Sequence, residues 1–214
     1  MTDARGKVGG QVFSKNRSGA YVRTKVTPSN AQTSRQSFVR SLLSSISQSW
    51  SGLTQAQRDS FDAAVNQWTS TDIFGDIKNP TGKNLYTKLN FNLGNSGLTG
   101  INSAPIKLEM PTLNISAVEN EAGILTIVGA NIAGTGKLVI SATAVQSQGT
   151  GFYKGKFRQI GTIATTAIAN ADITALYTAK FGQVTGNENI GFEFKIILAN
   201  GQMSTPLSMK ATEV

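Results

Sequence analysis

Two sets of side chains in this sequence could do chemistry. The first is cationic: Lys7, Lys15, Arg17, Arg23 and Lys25, with Phe13 and Tyr21 set among them. Cations at this density neutralise phosphates, and rings between them can stack on bases. The same pattern can grip an acidic protein neighbour, and on an exposed strand it blocks edge-to-edge aggregation. The second set is acidic: Asp59, Asp62, Asp72 and Asp76. Asp59 and Asp62, three apart, share a helix face and could meet a cation. Acids so placed more simply solvate the outside of an amphipathic helix. No pair of them is set in an apolar run, so a glycosidase-type carboxylate pair has little support.

Other chemistries are closed by composition. There is no cysteine and no histidine. Disulfides, Cys-ligated zinc, thiol catalysis, a Ser-His-Asp triad and an HExxH zinc site are all excluded. Residues 129–137 (GANIAGTGK) look like a phosphate-binding loop, but Asn131 stands where the first glycine is required. Leu138 stands where a magnesium-binding Ser or Thr belongs. The stretch reads as a turn between strands. The expectation is a non-enzymatic protein with no catalytic residues, no metal and no cofactor.

The charge is unevenly distributed. Residues 1–40 carry eight Lys/Arg against the single acid Asp3. Residues 1–107 have a net charge of +8, and residues 108–214 a net charge of zero. A cationic front on a neutral rear points to attachment by the N-terminal half and display of the C-terminal half. At 39% hydrophobic and 15% charged residues, the 214-residue chain lacks the low-hydrophobicity, high-charge signature of disorder. No run of about 18 apolar residues is present, and the opening MTDARGKVGG lacks the apolar core of a signal peptide. Synthesis in a cytoplasm is expected, with no membrane partner.

These side chains need elements to position them. Val8, Val12, Phe13, Tyr21, Val22 and Val26 are strand formers, and Asn16-Arg17-Ser18-Gly19 is a turn signal. Residues 5–27 read as a β-hairpin or a pair of extended arms, which needs a surface to lie on. Thr33 and Gln36 fit a capping box, followed by Phe38, Leu42, Leu43, Ile46 and Trp50 at helical spacing. Thr54 and Gln57 fit a second, followed by Phe61, Ala64, Val65 and Trp68. These two helices are expected to pair antiparallel over Trp50, Phe61 and Trp68. A third, weaker helix buries Leu85, Leu89 and Leu93, with Tyr86 flanking. Asn90, Asn92, Asn95, Gly94 and Gly97 weaken its end.

Beyond residue 112 the apolar period changes from helical to alternating. Strands are expected over 113–118, 124–128, 137–144, 152–163, 190–199 and 204–212. Phe152, Tyr153, Phe157, Phe192 and Phe194 are read as core filling, and Asn200-Gly201 as a hairpin turn. Asp172 caps a short helix running to Lys180. The fold class is α+β: a basic hairpin arm (1–28), a helical domain (29–100), a linker (101–112) and an antiparallel β-sandwich (113–214).

Three stretches carry a resemblance to a known family: residues 6–17 (GKVGGQVFSKNR), 27–40 (TPSNAQTSRQSFVR) and 79–98 (NPTGKNLYTKLNFNLGNSGL). Gly19, Tyr21, Arg23, Trp50, Gly52-Leu53-Thr54, Gln57-Arg58, Trp68 and Ala104-Pro105 fall in the same order. Nearly half the chain resembles virion-associated proteins of tailed bacteriophages, including phages of Bacteroidetes and crAss-like phages. The C-terminal hundred residues resemble, more weakly, the fibronectin-type or immunoglobulin-like modules appended to phage surface proteins. The resemblance implies a virion structural protein, an auxiliary or minor capsid protein in many copies or a homo-oligomer, with other virion proteins as partners. A head-to-tail connector or tail ring component is the alternative, and a nucleic-acid-binding protein using the arm is a further one. Anchoring is assigned to Lys7, Phe13, Lys15, Arg17, Tyr21, Arg23 and Lys25.

Overall fold

A computed structural model describes residues 5–71, 74–151, 153–185 and 188–213. The architecture is α+β, and the chain divides into two compact units, Met1–Val39 and Arg40–Val214.

The first unit holds three antiparallel strands, β1 (Gly6–Val8), β2 (Gln11–Asn16) and β3 (Gly19–Thr24), in the order β1-β2-β3. The expected hairpin is β2–β3; β1 is an addition. Gly9 and Gly10 make its two-residue connection, with Gly9 at φ +56°, the positive value that such hairpin turns require. At the second turn Asn16 Oδ1 accepts the Ser18 N–H at 2.9 Å. The start of helix α1 (Ser34–Gly52) carries the expected capping box: Thr33 Oγ1 accepts the Gln36 N–H, and Gln36 Oε1 accepts the Thr33 N–H, both at 3.3 Å.

The second unit has two cores. One gathers Ile46 of α1, Phe61 of α2 (Gln55–Ala64) and Leu85, Tyr86 and Leu89 of α3 (Gly82–Ser96), with Leu53 from the α1–α2 link and Trp68 from the 3-10 turn after α2. Thr54 and Gln57 form the second capping box. The expected α1–α2 pair is a narrow contact, Trp50 on Phe61 at 6.1 Å, and the broad packing is that of α2 against α3. The reason is α1's composition: it is rich in serine, and Ile46 is its buried residue. Tyr86 belongs to the core rather than its flank; its ring lies 5.2 Å from both Trp50 and Phe61. A short β4 (Ser70–Thr71) pairs with β5 (Ile77–Lys78) between α2 and α3.

The other core lies inside a curled, mixed sheet of seven strands. These are β6 (Ile115–Glu121), β7 (Ile124–Gly129), β8 (Gly136–Ala142), β9 (Arg158–Ala164), β10 (Ala171–Asp172), β11 (Gly191–Leu198) and β12 (Leu207–Glu213). They run in the order β10-β7-β6-β12-β11-β8-β9. β12 joins the two halves. Its residues 207–210 pair antiparallel with β11, and residues 211–213 pair parallel with β6. Val118, Leu125 and Ile127 of one half therefore share a core with Leu138, Ile140, Phe192, Phe194 and Ile196 of the other. Helix α4 (Thr174–Phe181) adds Tyr177, whose hydroxyl donates to the Thr143 carbonyl at 3.1 Å.

Two sequence expectations shift here. β9 begins at Arg158, not residue 152, because the glycine-rich stretch before it forms a loop. Tyr153 in that loop packs on Gly191 and donates its hydroxyl to Asn189 Oδ1. Phe152 lies outside the described residues. Asp172 stands one residue before the helix cap. Hydrogen bonds from the Thr174 hydroxyl and backbone N–H hold its carboxyl below the usual range.

Candidate interaction surface

The pairing register of the N-terminal sheet decides which side chains share a face. Lys7, Val12 and Arg23 stand opposite one another across the three strands, as do Gly6, Phe13 and Val22. Side chains alternate along a strand, so the first face carries Lys7, Val12, Ser14, Tyr21 and Arg23. The second carries Val8, Phe13, Ala20 and Val22, flanked by Gln11, Lys15 and Thr24. Lys7 and Arg23 stand two strands apart with Val12 between, a spacing of about 10 Å that keeps the like charges from direct opposition.

The seven residues expected to anchor the chain are thus not one patch. Lys7, Tyr21 and Arg23 lie on the cationic face, and Phe13 and Lys15 on the apolar one. Arg17 sits in the β2–β3 turn and Lys25 just past β3. The Lys25 N–H donates to the Gly10 carbonyl at 2.8 Å, which extends the ladder by one bond. Val8 and Val22, which complete the apolar face with Phe13, were not among the expected anchors. Their signal is the alternation of strand residues once Gly9-Gly10 is read as a turn.

No described residue of this unit is buried. Val8 is 69% exposed and Val22 51% exposed, although both are strand residues on an apolar face. β1 and β3 are also sheet edges, presenting backbone N–H and C=O groups to whatever approaches. The unit therefore has the surfaces a sheet uses to bind, and no core of its own.

The acids resolve differently. Asp62 Oδ1 accepts the Gly82 N–H at 3.1 Å, fixing a carboxylate at the start of α3, where the helix dipole favours negative charge. Asp59 Oδ1 accepts from Gln55 Nε2 at 2.7 Å on its own helix. Asp72 lies outside the described residues. Among the described residues no three acidic side chains gather into a possible metal site. No family model matches the chain, and neither a curated protein nor a solved structure matches it significantly.

Proposed function

We propose that this chain is a non-enzymatic structural protein of a tailed-phage particle, an auxiliary or minor capsid protein. It attaches through its N-terminal sheet and displays the seven-stranded domain. One observation carries the reading: a three-stranded sheet with an apolar face and two open edges holds no buried residue. Such a sheet gains little by folding alone and much by being covered. A neighbouring subunit of the particle would add a strand at β1 or β3 or cover Val8, Phe13 and Val22, with the adjacent cations adding charge complementarity. Repetition on a lattice would multiply weak contacts.

The displayed domain is read as a fibronectin-type or immunoglobulin-like sandwich. In support, β10-β7-β6 and β12-β11-β8-β9 divide the curled sheet into two halves around one core. Mass spectrometry of purified particles with copy number, followed by a cryo-EM map, tests the assignment. Many copies over a lattice support a capsid role, and a ring of fixed copy number supports a connector or tail component. Absence from particles removes both. A second reading, nucleic-acid binding, draws on Lys7, Tyr21 and Arg23 sharing one face. Strong, salt-dependent DNA binding by the full chain would favour it.

A further inference from the structure

The second unit contains an open cleft of about 650 Å³. It lies between α3, the extended segment from Lys107 to Leu113, and the chain from Gly201 to Leu207 that leads into β12. Leu89, Met110, Leu113 and Leu207 give it an apolar lining. Its charged lining residues are Lys88 and Lys107, which come from different elements, and among the described residues no acid lines it. Glu109, the nearest acid in sequence, lines a neighbouring depression instead. Trp68 forms part of the wall, is 6% exposed, and has an indole Nε1–H that is sealed from solvent without an acceptor. A buried indole N–H ordinarily has a partner, so the signal of this unpaired donor is a sensitive reporter of changes in the wall.

A cleft of this size with an apolar lining and a few polar groups is the usual form of a small-ligand site. Two lysines, with no acid among the described lining residues, select the charge of what enters. We propose that the cleft binds a carboxylate carried on an aliphatic chain. The chain lies over Leu89, Met110 and Leu207, and the carboxylate meets the Lys88 and Lys107 ammonium groups. Two sources share that chemistry: a free medium-chain fatty acid, and the C-terminus of a polypeptide ending in apolar residues. The inference is independent of the N-terminal sheet and of the particle assignment.

The test is an NMR titration of the full chain carrying ¹⁵N-labelled tryptophan, with octanoate and octan-1-ol as probes. Trp50 lies outside the cleft lining, packed on Phe61 and Tyr86, and so serves as an internal control. Octanoate is expected to move the Trp68 indole signal and leave that of Trp50 in place. Octan-1-ol is expected to bind at least about tenfold more weakly. Lys88→Met and Lys107→Met, both at exposed positions, should each weaken octanoate about two- to fivefold, the worth of one solvent-screened charged contact. An acetylated apolar tripeptide with a free C-terminus, compared with its amide, separates the sources. Tighter binding by the peptide acid points to a polypeptide end, and tighter binding by octanoate to a fatty acid. Equal binding of octanoate and octan-1-ol overturns the proposal. So does an unmoved Trp68 signal at about 10 mM octanoate, or a Lys88→Met/Lys107→Met variant that binds as before.

Discussion

Asn92 on α3 donates its Nδ2–H to the carbonyl of Gly201, 2.9 Å away and 109 residues later in the chain. The contact is close on both sides. Gly201 has φ +80°, and a Cβ placed on it would fall 2.7 Å from the Leu89 carbonyl oxygen and 2.9 Å from the Leu89 Cα. Those neighbours are helix backbone and cannot rotate away. Gly201→Ala therefore combines a left-handed strain with a backbone clash, and should cost on the order of 3 kcal/mol. Gly134→Ala is the control, since its φ of +105° is also positive but no atom lies within 4 Å of the new Cβ. Urea denaturation of the two variants should place Gly201→Ala well below Gly134→Ala. Equal losses would mean that the helix–turn contact contributes nothing.

The β6–β7 turn offers a change in the other direction. Glu121 pairs with Ile124, and the two residues between, Ala122 and Gly123, have φ +48° and +92°. This is the hairpin turn that favours Asn-Gly, and an alanine pays for its Cβ there. Ala122 is exposed, so replacement disturbs no packing. Ala122→Asn should raise stability by about 0.5–1 kcal/mol, seen as a higher melting temperature. A lower melting temperature would contradict the turn assignment.

Tyr177 gives the fold an alkaline limit. Burial, and secondarily the nearby Glu188 charge, push its hydroxyl pKa up to about 12 from the ordinary 10.0. The folded state thus holds the phenolic proton more tightly than the unfolded chain. Its contribution is complete below pH 10 and is lost as pH rises through about 12, a change on the order of 2–3 kcal/mol. Burial also raises the Tyr86 hydroxyl, so absorbance titration at alkaline pH should show two late-ionising tyrosines, the later of them, Tyr177, coinciding with unfolding. Tyr177→Phe should flatten the stability profile between those pH values while lowering stability at neutral pH. That loss follows because the Thr143 carbonyl loses its donor.

Local signals in the sequence carried far. Both capping boxes, the Asn16–Gly19 and Glu121–Gly123 turns, and the apolar stripes Leu85, Leu89 and Leu93 form as their residue types dictate. What stayed hidden depends on distant partners. Asn90 and Asn92 look like weak helix formers near a helix end. In the structure Asn90 exchanges two hydrogen bonds with the backbone of Ile101, and Asn92 reaches Gly201. A polar side chain gives no local sign of whether it will face water or a buried carbonyl. The three-way ring contact of Trp50, Phe61 and Tyr86 was only partly legible, since heptad position does not say which neighbouring helix closes the gap. For the N-terminal cations, the residue types were plain, but their division between two faces required the register set by β1.

That register makes the N-terminal unit testable as a docking device. Removing residues 1–32 deletes β1–β3 but no buried side chain among the described residues, and leaves α1 with its Thr33 cap. Calorimetry on the truncated chain should show a melting temperature within about 2 °C of the intact one, because no described residue of the segment is fully buried and none belongs to either core. Phe13→Asp/Val22→Asp should likewise change calorimetry little, since Val22 is exposed, Phe13 is only half-buried and neither belongs to a core. Incorporation into particles is the contrasting readout. A carboxylate pair on the apolar face would have to be desolvated on docking, so the double variant should be missing from purified particles. Lys7→Ala/Arg23→Ala, on the opposite face, should instead reduce incorporation in a salt-dependent way. Full incorporation of the Phe13→Asp/Val22→Asp chain, or a large fall in melting temperature on truncation, would place the covering surface of this sheet within the chain's own fold.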